Sequence, residues 1–179
     1  MSLKIFIDKY RNQFKAMASD YDQPFDLSKD EPIEFIDKDH VKLTFANIAD
    51  THLIDNESAT INLGNFFQDI SNAKGKFDAV LIAGDLSEYG KTAEYNRFFN
   101  VFDQYKEKFK LFVTMGNHDV RFLFPRNQKI IMDKVNEYLG IDTKGKSYYS
   151  YDVNGYTFIV IGTEKRVLEK AHITQAQID

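Results

Sequence analysis

The sequence contains no cysteine. That excludes disulfide staples, thiolate zinc sites and cysteine nucleophiles, and it leaves the redox compartment open. Tryptophan is also absent, and there are only 3 prolines and 9 glycines, so neither a proline-rich nor a glycine-rich low-complexity tract is present. Positive charge is in deficit, with 23 Lys and Arg against 27 Asp and Glu, a net charge of −4. A chain of that balance is not built to coat a nucleic-acid backbone. The deficit does not count against gripping a single phosphate through metal ions. No apolar run approaches the ~18 residues needed to cross a membrane. No apolar leader core follows the first residues. A cytoplasmic protein is the expectation, and a secreted form whose leader has been removed is also compatible.

What is present is globular in character. Hydrophobic residues make up 43% and charged residues 28%, and 16 Phe and 10 Tyr supply material for a core. At ~150 residues per domain the length corresponds to one domain. Leu3, Phe6, Ile7, Tyr10, Phe14 and Met17 recur at helical spacing, predicting an amphipathic helix that packs on the main body. Residues 18–32 lose that periodicity and hold Pro24 and Pro32, which reads as a linker. The organisation expected is therefore a helix and linker over 1–32 and a domain over 33–179. Within it, a weak hairpin is expected around Asp37-Lys38-Asp39. Strands are predicted at 41–49, 77–83 and 111–115, and helices at 59–73, 92–108 and 128–139, the last stopped by Gly140. Asn154-Gly155 between two alternating segments, 148–153 and 156–161, predicts a hairpin. Repeated strand–helix units imply an α/β fold with parallel strands, and the hairpin adds antiparallel ones, giving a mixed sheet.

Three polar clusters follow the three strand candidates: Asp50-Thr51-His52, Gly84-Asp85-Leu86-Ser87-Glu88-Tyr89-Gly90 and Gly116-Asn117-His118-Asp119. In a parallel α/β sheet such positions open on one crevice. Residues i and i+2 of an extended segment point the same way, so Asp50 and His52 can face one ion. Gly84 allows a sharp turn that delivers Asp85, whose two oxygens can bridge two ions, and Asn117 offers an amide oxygen. This donor set suits Mn, Fe or Zn. Two ions ~3.5–4 Å apart would clamp a phosphoryl group and activate water for in-line attack. His118 is placed to protonate a leaving oxygen. Taken singly, each cluster reads as a surface pair, a turn or a helix start. The combination on three strand ends is what carries the assignment.

The clusters resemble the first three signature blocks of the calcineurin-like metallophosphoesterases: Asp-x-His, Gly-Asp-x-x-x-x-Gly and Gly-Asn-His-Asp/Glu, in that order. The stretch from Gly84 to Tyr95 is most similar to bacterial members grouped with the class III cyclic nucleotide phosphodiesterases. The resemblance covers residue 41 onward and implies an α-β-β-α sandwich with two divalent metal ions. It implies that Asp50, His52 and Asp85 hold one ion, that Asp85 bridges to a second ion also bound by Asn117, and that His118 acts beside the leaving group. It further implies hydrolysis of phosphodiester or phosphomonoester bonds, possession of a phosphate-ester substrate such as a nucleotide, and attack by a metal-bound water or hydroxide.

The family completes its site with later histidines, whereas this sequence ends at Ile173-Thr174-Gln175-Ala176-Gln177-Ile178-Asp179 and holds only His40, His52, His118 and His172. The expectation is a domain lacking its C-terminal part, weakly active or inactive alone, with an uncovered sheet that drives self-association. His40 is expected in a solvated turn and His172 on a loop. A non-catalytic domain that binds a phosphate-bearing ligand without turnover is the alternative function. A mononucleotide-binding module is disfavoured, since no glycine-rich phosphate loop appears. Glu88 is expected either to orient His118 or to face solvent, and Asp119 either to support the metal centre or to cap the following helix. Arg121 and Arg126 are read as surface residues, Tyr148, Tyr149, Tyr151 and Tyr156 as sheet packing, and Lys106, Lys108 and Lys110 as a solvated helix end.

Overall fold

The computed structural model describes residues 41–54, 56–165 and 171–179. The expected N-terminal helix, the linker, the early hairpin and His40 lie outside the described residues. Three strands, β1 (Phe45–Ile48), β2 (Ala79–Ala83) and β3 (Lys110–Thr114), form a parallel sheet in the order β1-β2-β3. The central strand reads Ala-Val-Leu-Ile-Ala because a strand covered on both faces needs apolar side chains throughout. Strand β1 is shorter than its apolar run suggests. The Thr44 amide, just before it, donates to the Asp78 carboxylate at 3.0 Å, so a side chain takes the place of a strand partner there.

Helices α1 (Glu57–Ser71), α2 (Thr92–Phe102) and α4 (Arg126–Leu139) cover the sheet, and the one-turn helix α3 (Asn117–Arg121) follows β3. The Asn56 side chain caps α1 by accepting from the Ala59 amide at 3.0 Å. Helix α4 ends on Gly140 at φ +67°, the left-handed cap expected from sequence. The layer is held together by aromatic rings. Phe67 of α1 meets Phe98 and Phe102 of α2 at centroid separations of 6.5 and 5.4 Å, and Phe102 meets Tyr138 of α4 at 4.9 Å. These edge-on and tilted geometries suit ring quadrupoles.

The antiparallel pairing occupies its own two-stranded sheet, β4 (Tyr149–Val153) with β5 (Tyr156–Val160). Parallel and antiparallel strands thus form two sheets, as the family resemblance implies, and not the single mixed sheet inferred from the hairpin alone. Asn154 and Gly155 take φ of +52° and +83°, the two positive angles a tight two-residue hairpin turn demands. The hairpin packs on the face of the parallel sheet opposite the helices. Phe158 stacks on Phe112 at 4.5 Å, and Tyr151 lies 6.0 Å from the same ring. The Tyr149 hydroxyl accepts from the Val113 amide and donates to the Val113 carbonyl, at 2.9 and 3.1 Å, which occupies backbone groups of β3 with a side chain. The described chain closes with the short helix α5 (Gln175–Ile178), tied back through the Gln177 side chain to both the amide and the carbonyl of Gly162. Helices, parallel sheet and hairpin sheet are therefore stacked in that order, in a mixed α/β architecture.

Candidate metal centre

The loops after β1, β2 and β3 meet at the carboxyl ends of the strands. Parallel pairing continues beyond the strands themselves: the amides of Asp50, His52 and Leu53 donate to the carbonyls of Gly84, Asp85 and Leu86 at 3.1, 3.0 and 2.9 Å. The segment is not extended, however, as the i and i+2 argument assumed. Asp50, His52 and Asp85 have φ of +56°, +40° and +50°. The cross-loop hydrogen bonds hold these residues in left-handed kinks, and the kinks turn their side chains toward one another.

Gly84 sits at φ +90°, and a Cβ there would lie 2.9 Å from the Gly116 Cα. Gly116 has the stricter requirement: a Cβ would lie 2.5 Å from the Asp85 nitrogen and would overlap the Asp85 Oδ1. Both glycines are needed for the second and third loops to touch. That closeness lets the His118 amide donate to Asp85 Oδ1 at 2.8 Å.

With Oδ1 so occupied, Asp85 Oδ2 faces His52. His52 Nε2 lies 3.9 Å from Asp85 Oδ2 and 3.5 Å from Asp50 Oδ1. Ligand atoms of Asp50, His52 and Asp85 all fall within 4.8 Å of one another. Donors bound to one cation at ~2.1 Å are separated by about 3.4 Å at a tetrahedral angle and at most about 4.2 Å. The His52–Asp50 and His52–Asp85 separations fall within that range. Two carboxylates facing a single imidazole also form a donor set that a divalent cation balances. The residues therefore fit the metal that the sequence pattern calls for.

Glu88 does something other than expected. Its carboxylate approaches His52 Nδ1 at 2.6 Å and lies farther from His118 Nδ1, at 3.7 Å. His118 Nδ1 is held by the Glu88 main-chain carbonyl at 2.8 Å. One residue thus addresses both histidines, the first by its side chain and the second by its backbone. The Glu88–His52 approach is short but out of line with the ring N–H, and Nδ1 is a buried nitrogen without an aligned hydrogen bond. The two rings stand edge to face, 4.6 Å between centroids. Ligand atoms of His52, Glu88 and His118 form a second close group. A carbonyl bonded to His118 Nδ1 fixes the proton there and leaves Nε2 free to face a reacting group.

Asn117 opens α3 beside His118, on the loop that touches Asp85. Asp119 is fully buried and caps that loop by accepting from the Gly116 amide at 3.0 Å, so both of its expected roles are compatible with its place. Burial pushes its carboxyl up to about 6, and the Gly116 and Leu86 amides and the Tyr95 hydroxyl oppose the shift. The Arg126 guanidinium donates to the Gly90 carbonyl at 2.7 Å and to the Asn127 side chain at 2.9 Å, so it braces the second loop. His172 lies in a loop, its amide bonded to the Thr163 hydroxyl, apart from both donor groups among the described residues.

A family model described as calcineurin-like phosphoesterase matches residues 43–176. The chain belongs to the calcineurin-like phosphoesterase family. No curated protein matches the chain. Membership brings metal-dependent phosphoester hydrolysis as the activity of the family, and among the described residues the strand-end donors form groups that could hold divalent metal. No helix among the described residues is long and apolar enough to cross a membrane.

The roles of three residues of this phosphoesterase site escaped sequence reasoning. Tyr95 reads as one more aromatic on the apolar face of α2, yet its hydroxyl donates to Asp119 at 3.1 Å. Glu94 is buried, and its Oε2 accepts the amides of Tyr89 and Lys91 at 3.0 and 3.1 Å, closing the second loop onto α2. The Ser87 hydroxyl accepts from the Gly90 amide. A charged residue next to a tyrosine at the start of an aromatic helix face was the available signal, since a buried carboxylate must have partners.

Proposed function

We propose that this chain is the catalytic part of a phosphoesterase with a two-ion centre. Asp50, His52 and Asp85 would hold one divalent ion, and Asp85 and Asn117 would share a second. The observation that carries the reading is the mutual approach of Asp50, His52 and Asp85 within 4.8 Å at the ends of adjacent parallel strands. Bound ions of the Mn, Fe or Zn class supply positive charge to phosphoryl oxygens and lower the pKa of water.

The chain's own residues divide the remaining work. Glu88 steadies His52 through its carboxylate and orients His118 through its carbonyl. In its imidazolium form, with Nδ1–H kept on the Glu88 carbonyl, His118 would give its Nε2 proton to the departing alkoxide oxygen and be left as the neutral imidazole. The Asp85–His118 amide bond couples the metal-ligand loop to the proton donor. The substrate is a small phosphate ester. The likeness of Gly84–Tyr95 to class III cyclic nucleotide phosphodiesterases favours a nucleotide-like diester. We place the phosphoesterase domain over residues 33–179.

Replacing Asp85 with Asn removes charge and keeps shape. Manganese-dependent hydrolysis of an aryl phosphodiester by the Asp85→Asn variant should fall at least about 100-fold, since a metal ligand and the His118 contact are both weakened. Unchanged hydrolysis would overturn the proposed centre.

A further inference from the structure

The Asp119 carboxylate lies beside the metal centre without facing it, because both oxygens are occupied. Oδ2 accepts the amides of Gly116 and Leu86 at 3.0 and 3.3 Å. Oδ1 accepts the Ser87 amide at 3.4 Å and the Tyr95 hydroxyl at 3.1 Å. The three peptide donors belong to the two loops that present Asp85 and Asn117-His118. The fourth partner belongs to helix α2, whose Tyr95, Phe98 and Phe102 are fully buried. One carboxylate therefore joins both loops to the helix.

The main chain around it is equally committed. The Asp119 carbonyl accepts from Asn127 Nδ2 at 2.9 Å, and that same amide group bonds the Phe122 carbonyl at 3.0 Å. Asp119 therefore cannot swing out to serve as a ligand without breaking these contacts. Its place is set by Tyr95 on one side and Asn127 on the other.

We infer that the Tyr95–Asp119 pair is a positioning device that fixes the separation between Asp85 and the Asn117-His118 loop, and so sets divalent-metal affinity without touching the metal. The inference rests on the metal centre proposed above. Hydrogen-bonding partners behind ligands of this kind typically change metal affinity 10–100-fold when removed. Tyr95 is a positioning residue in this sense, and a purely structural role for it makes a different prediction.

Manganese alone, titrated calorimetrically into the full chain, separates the two. Tyr95→Phe keeps the ring and deletes the hydroxyl. Its dissociation constant should rise at least about tenfold. Tyr138→Phe is the control, because Tyr138 also donates to a carboxylate, Asp103 at 3.0 Å, but at the far end of α2. It should lower the melting temperature of the metal-free chain and leave the dissociation constant at the wild-type value. Wild-type affinity in Tyr95→Phe overturns the inference, even with a lowered melting temperature. Equal weakening in both variants also overturns it, as the signature of general destabilisation. If the wild-type chain binds no manganese, the metal centre itself is refuted, and this inference falls with it. Should Tyr95→Phe not fold, Asp119→Asn, which retains one acceptor oxygen, is read by the same criteria.

Discussion

Asp50, His52 and Asp85 share an uncommon backbone state as well as a common focus, each with φ between +40° and +56°. Non-glycine residues in this region cost about 1–2 kcal/mol each. The neighbouring loops hold them there through the amides that bond Gly84, Asp85 and Leu86 carbonyls. Strain concentrated on candidate ligands means that stability is traded for geometry. Asp50→Gly should therefore stabilise the metal-free chain by about 0.5–1 kcal/mol while weakening manganese binding. Urea denaturation in the presence of a chelator measures the first effect and titration the second. A destabilised metal-free Asp50→Gly would contradict the strain argument. At this scale the identities of the clustered residues were legible in the sequence, because ligand types at fixed spacing are chemically distinctive. Their left-handed angles were not, because these are imposed by hydrogen bonds from a loop more than thirty residues away. The partner of the Glu88 carboxylate was hidden for the same reason: reach across loops, not sequence proximity, gives it His52.

Helix α2 serves both the core and the site. Its first turn supplies Glu94 and Tyr95 to the metal-centre loops, and its later turns supply Phe98, Phe99 and Phe102 to the aromatic layer. Phe102 touches Phe67 and Tyr138, so it ties α1 to α4. Phe102→Ala should cost about 3–5 kcal/mol of unfolding free energy, read from urea denaturation with an unchanged slope. A loss below about 1 kcal/mol would mean that the layer does not depend on this ring. The five strands and the three long helices were anticipated, with the apolar period as guide, but the one-turn helix α3 and several element ends were not. The predicted helix to Lys108 stops at Phe102. The Tyr105 amide donates to the Phe102 carbonyl at 2.7 Å in a tighter turn, which lays Tyr105 flat on Phe67 at 5.4 Å. Tertiary packing, to which local periodicity is blind, decided that boundary.

At the scale of the molecule, three tyrosines among the described residues carry hydroxyls locked into the architecture: Tyr95 to Asp119, Tyr138 to Asp103 and Tyr149 to the backbone of β3. Burial holds all three phenols well above their ordinary range. An acid whose folded pKa is raised keeps its proton in the native state after the unfolded chain has lost it. Folding stability is then full below about pH 10 and falls as pH climbs beyond it. Absorbance at the phenolate band should show a group of tyrosines ionising only together with loss of circular dichroism. Smooth ionisation of every tyrosine with dichroism intact would contradict the packing described. The two-sheet division was legible only through family resemblance, since a hairpin signal says that two strands pair and not which sheet they join.

The central claim is that the ends of β1, β2 and β3 converge into a divalent-metal centre, and equilibrium dialysis against manganese tests it most directly. On the proposed two-ion reading the wild-type chain should retain two equivalents of manganese, and Asp85→Asn should lose both, since that reading makes Asp85 the ligand shared by the two ions. No retained manganese in the wild-type chain, or the same content in the variant, would contradict the account.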